Sequence, residues 1–177
     1  MLAEQSPGCF PRWLTKQQAY WTGVDVSGDS NEAIICEDGT IESHKRGFTI
    51  TPFIYINDNL PGSDIPSESE MGKLITRDDV QITHSLEKEY LPIPKVQWNY
   101  ENIEMSVTLF ASGKISQSVA YACYNIKNKA KKDLTCKLAL AIRPFQIFPP
   151  WQNGGGFSNI NKIDYNDDVI TVNCKIE

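Results

Sequence analysis

Apolar and polar positions alternate with period two along most of this chain, and the cleanest run is Leu134, Cys136, Leu138, Leu140 and Ile142, with Thr135, Lys137, Ala139 and Ala141 between them. Such alternation is what a strand with one buried face requires. Ser118 to Ile126, rich in Val, Ala, Tyr and Cys, predicts a strand just before it, and the lysine-heavy stretch Lys127 to Asp133 reads as a solvated tip joining the two into a long antiparallel hairpin. A second hairpin is predicted from Val96, Trp98 and Tyr100 against Ile103, Met105, Val107 and Leu109, turning at Glu101-Asn102. Ala33 to Cys36, the turn pair Asp38-Gly39 and Ile41 onward predict a third, followed by a strand over Thr49 to Ile56. Lys162 to Tyr165 and Val169 to Cys174, separated by Asn166-Asp167-Asp168, predict a fourth.

Helical periodicity is scarce. Glu68 to Thr76 has room for a turn or two, and no longer window carries an i, i+3, i+4, i+7 stripe. The expected fold is all-β, with about nine to eleven strands in sequential antiparallel pairs forming a sandwich with little or no helix. Two segments interrupt the pattern. Leu60 to Glu70 reads as an acidic loop. Residues 143–156 combine three prolines, three consecutive glycines, Phe145, Phe148 and Trp151, which predicts a shaped loop that exposes aromatic rings.

Length and charge narrow the function. The 177 residues suit one compact core, so the chain reads as a single sandwich domain or the N-terminal part of one. The net charge of -5 arises between Asn57 and Tyr90, where eight acids face three bases; the rest of the chain carries fourteen of each sign. That balance argues against a nucleic-acid partner, which calls for a basic surface. No apolar run is long enough to span a membrane, and Met1 to Ala19 lacks the layout of a signal peptide, so a cytoplasmic location is expected.

The five cysteines form no CxxC pair and read as reduced thiols, although the expected long hairpin would set Cys123 opposite Cys136. His44 and His84 have no cysteine at ligand spacing, so neither a metal nor another cofactor is expected. A Gly-Lys-Ser/Thr loop and a G-x-S-x-G elbow are both missing, which argues against nucleotide binding and serine hydrolysis. The carboxylates Glu37, Asp38, Asp78, Asp79, Glu101 and Glu104 sit mostly in predicted turns, where solvation explains them, and none is assigned a catalytic role. Aromatic residues offer more, because the apolar face of a pyranose stacks on a flat ring while its hydroxyls bond to neighbouring polar side chains. Trp98 is expected in the core, whereas Trp151 with Gln152, and Trp21, are candidates for contact with a carbohydrate or with a neighbouring domain.

Three stretches carry a family resemblance: Ala19-Tyr20-Trp21-Thr22-Gly23 followed by Glu32 to Gly39, Tyr90-Leu91-Pro92-Ile93-Pro94 ahead of Trp98, and Arg143-Pro144-Phe145-Gln146-Ile147-Phe148-Pro149-Pro150-Trp151-Gln152. Together they resemble the N-terminal region of large bacterial glycosidase-like proteins, some of which carry a discoidin module. The resemblance implies a sandwich of the galactose-mutarotase-like supersandwich type that packs on an α/α-toroid catalytic domain, and it adds Arg143 to the contact candidates. Phe148 stands where that family pattern usually has Asn. A full supersandwich is longer than this chain, so the expectation is a sandwich interrupted before its last strands, with an exposed sheet edge open to self-association. A stand-alone carbohydrate-binding module and a mutarotase-type epimerase using His84 with a glutamate are the competing expectations.

Overall fold

The computed structural model describes residues 2–56, 72–152 and 155–174. After a single helical turn, α1 (Leu2–Gln5), the chain forms β1 (Trp21–Val24), β2 (Ala33–Cys36), β3 (Ile41–Glu42), β4 (Thr49–Ile56) and β5 (Lys73–Ile75). It continues through β6 (Gln81–Glu87), β7 (Leu91–Tyr100), β8 (Ile103–Ser112), β9 (Val119–Asn128), β10 (Cys136–Arg143), β11 (Ile160–Asn166) and β12 (Val169–Cys174). The all-β expectation holds, with antiparallel pairing in every ladder. One sheet runs β1-β2-β3-β4-β10, with β5 also on β4; a second runs β6-β7-β8-β9; β11 and β12 pair with each other.

The first two sheets face each other across the core. Val24, Ala33, Ile35, Ile54 and Ile75 from one side meet Val96, Trp98, Met105, Val107 and Leu109 from the other, all buried. Alternation explains this directly, since the intervening residues of β7 and β8 point to the opposite face. Trp98 lies in the core as expected, and its Nε1 donates to the Asp38 carbonyl oxygen at 3.1 Å, so the one polar atom of the indole is satisfied. The turn that supplies this acceptor depends on Gly39, at φ +81°, where an added Cβ would stand 3.1 Å from Val107 Cγ1. The β11–β12 hairpin turns through Asp167 and Asp168, both at positive φ, which suits a two-residue connection between twisted strands.

The long hairpin expected from Ser118 to Ile142 does not form. Both strands exist, but β9 pairs with β8 and β10 crosses over to pair along the full length of β4. Cys123 is therefore opposite Thr108 and Cys136 opposite Ile56, in different sheets. Alternation dictates which face a strand buries, not which strand it pairs with, and β4 offers an eight-residue partner of matching pattern. Lys73–Ile75, expected within a helical turn, is a strand on β4; the rest of that expected turn, and the Leu60 to Glu70 loop, fall largely outside the described residues. The twelve strands among the described residues exceed the expected number because β1, β5 and the exposed β6 carry weak patterns.

Candidate functional site

Residues 10–19 and the loop after β10 lie together on the outer face of β2. Ile34 and Cys36 of β2 pack with Ile147, and Ala19 and Phe148 close over them. The 3₁₀ turn Arg12–Thr15 ends at Lys16 in a left-handed conformation and carries Trp13, which is buried. Trp13 Nε1 donates to Gln146 O at 3.0 Å, and its ring meets Phe157 edge-on with centroids 5.5 Å apart. The loop is braced at its base by the Phe145–Phe157 bridge and by Gln146 Nε2 donating to Phe157 O at 3.1 Å. Its turn is closed by Gln152 N–H donating to Pro149 O at 2.9 Å. Trp21, at the start of β1, stacks edgewise on Phe148 with centroids 4.5 Å apart.

A groove of about 320 Å³ opens between these segments, lined by Trp13, Lys16, Gln17, Trp21, Trp151 and Gln152 among others. Three of the four residues singled out in the sequence thus share one depression, although 130 positions separate Trp21 from Trp151. Trp151 is 71% exposed and Trp21 37%, so both rings offer surface to a ligand or partner. The lining residues include amides, one amine and indoles, and no Asp, Glu, His, Cys or Ser. Such a set can stack and hydrogen-bond, and the Lys16 amine is its one charged side chain among the described lining residues.

Arg143 lies apart from the groove. Its guanidinium sits over the rings of Phe10 and Phe145, 5.4 and 4.7 Å from their centroids, and donates to Cys9 O. Burial, the largest influence on it, pulls its pKa down. Itself half-buried, it anchors the N-terminal segment near the buried cation Arg77, which bonds Asp38 Oδ2 at 3.2 Å and Pro7 O at 2.8 Å. The void among these groups is about 30 Å³, room for water and not for a sugar.

Sequence reasoning passed over Glu42, which holds the loop from below. It is 1% exposed, and its carboxylate accepts from Ile147 N–H at 2.8 Å and Arg46 N–H at 3.1 Å. Burial raises its pKa to about 7, against the lowering influence of those two N–H groups. The only available signal was a glutamate next to Ile41 in a strand whose two residues are both buried. A further cleft, of about 490 Å³, lies between β1 and β6 on the other side of Trp21 and is bordered by Tyr20, His84, Leu86, Pro94 and Lys95. There the His84 Nε2 lies 2.8 Å from Glu37 O, while the Glu37 carboxylate is engaged by Arg12 at 2.6 Å. Among the described residues no group of three His, Cys, Asp or Glu side chains is placed to hold a metal ion, and no helix is long and apolar enough to cross a membrane.

Fold and groove together define an antiparallel β-sandwich with an aromatic-lined surface depression. No protein-family model, curated protein or solved structure matches the chain.

Proposed function

We propose that this chain is a non-catalytic sandwich domain of a carbohydrate-active protein, whose Trp21–Trp151 groove contacts sugar while the domain packs on an adjacent catalytic domain. The observation that carries this reading is the convergence of two exposed indoles with Gln17, Lys16 and Gln152 in a groove without carboxylates. Indole faces suit the apolar face of a pyranose, and amide and amine groups suit its hydroxyls. The braced loop supports it as well, because a ring held before binding loses less entropy on contact. The family resemblance of the three sequence stretches supplies the catalytic neighbour.

The test is titration of the isolated chain with neutral oligosaccharides, followed by amide and indole chemical shifts. The expected result is weak binding, with Kd of about 1 mM or above, with shifts confined to Trp21, Trp151, Gln152 and their neighbours and lost in Trp151→Ala. Micromolar affinity would instead favour a stand-alone binding module. Shifts absent from the groove at saturating sugar would refute sugar contact there.

A further inference from the structure

The β11–β12 hairpin is amphipathic with its apolar face uncovered. Its cross-strand register puts Ile163, Tyr165, Ile170 and Val172 on one face and Lys162, Asp164, Thr171 and Asn173 on the other. On the apolar face Ile163 is 50%, Tyr165 69% and Ile170 54% exposed. The Tyr165 hydroxyl already donates to Asp168 Oδ1 at 2.6 Å, so covering its ring strands no donor.

The same chain has a matching uncovered surface. Among the described residues β9 and β10 are the outermost strands of the two sheets, each paired on one side only, and both pack side chains on the same core cluster. Ala122, Tyr124 and Ile126 of β9 lie opposite Leu109, Val107 and Met105, and Leu138 and Leu140 of β10 lie opposite Ile54 and Pro52, so all of them point toward the core. Yet Leu140 is 45% exposed, Ala120 and Ala122 are exposed, and Tyr124, Ile126 and Leu138 are only half-buried. Their partners on β8 and β4, Leu109, Val107, Met105 and Ile54, are buried almost completely. From Val119 to Ile126 the β9 edge carries neither charge nor proline, the usual protections of an exposed edge.

We infer that the chain forms a two-fold dimer in which each copy lays the apolar face of its β11–β12 hairpin over the β9–β10 flank of the other. The two surfaces lie on one chain, so a two-fold axis satisfies both at once and leaves neither repeated in an open chain. Large side chains exposed to this degree each offer on the order of 100 Å². Ile163, Tyr165, Ile170 and Leu140 are of this kind, and Val172, Ala120, Ala122, Tyr124, Ile126 and Leu138 add on the order of 40 Å² each, so the two contacts together reach on the order of 1,300 Å² when all of it is covered, at the lower end of a standard stable interface.

The test is mass by light scattering and sedimentation from about 1 to 100 µM, spanning the affinities such an area commonly gives. The chain of 19.9 kDa is expected to run as a dimer at the upper end. Tyr165→Lys in the hairpin and Leu140→Lys in the flank are each expected to give a monomer, with near-ultraviolet circular dichroism showing an intact core. An equimolar mixture of the two variants retains one whole contact, so it is expected to recover heterodimer. A wild-type monomer at 100 µM, a dimer that survives both substitutions, or folded variants that fail to recombine would overturn the exchange.

Discussion

Glu42 gives the sharpest test of the physical account. Its carboxyl is almost fully buried, and among the described residues its donors are two backbone N–H groups and no cation. Its folded pKa of about 7 compares with an ordinary value of 4.5. Below about pH 4.5 the group is protonated in both states and adds no pH dependence. Between there and pH 7 the unfolded chain releases the proton while the folded chain keeps it, so stability falls as pH rises; above pH 7 the loss is complete. The interval corresponds to roughly 3 kcal/mol at 1.36 kcal/mol per unit. Urea unfolding of the wild type and of Glu42→Gln from pH 4.5 to 8 isolates this effect, because groups common to both cancel. Glutamine cannot titrate and can accept only one of the two N–H bonds, so the variant is expected to be less stable at pH 5 and to recover roughly 3 kcal/mol relative to wild type by pH 8. A difference that stays constant within about 1 kcal/mol across that range would refute the assignment of an uncompensated buried carboxyl.

Arg77→Ala removes the cation facing buried Asp38 and the donor to Pro7 O, and is expected to cost about 3–5 kcal/mol by chemical denaturation; removing the exposed Lys162–Asp164 pair with Lys162→Ala is expected to change stability by under about 0.5 kcal/mol. Cys123 is exposed whereas Cys36 is buried, with burial raising its thiol pKa well above the usual value. A thiol reagent is therefore expected to label Cys123 in the native chain and Cys36 only on unfolding, and a Cys123–Cys136 disulfide in peptide maps of the oxidised native chain would contradict the sheet assignment.

The legible features were local ones. Two-residue alternation marked β7, β8 and β10, and Asp38-Gly39, Glu101-Asn102 and Asp167-Asp168 marked turns that join neighbouring strands. In each case the pattern and the connection lie within a few residues, so pairing costs little loop entropy and one choice dominates. Trp151 was legible for a similar reason: prolines and glycines around it exclude a ladder, and the ring stands in solvent. Arg143 was chosen by resemblance, and its place over Phe10 and Phe145 depends on an N-terminal segment more than a hundred residues away.

By itself, then, the sequence determined the strand class, the buried faces of β7, β8 and β10, the short turns and the aromatic loop. All of these follow from side-chain period and from φ restrictions that act locally. Only the tertiary structure decided that β10 leaves β9 for β4, that Glu42 is sealed beneath Ile147, and that Trp21 meets the loop of Trp151. The physical reason is degeneracy: a half-apolar strand fits many neighbours equally well, and the choice among them rests on filling one shared core. That cooperative packing involves both sheets at once, so no single segment carries its record.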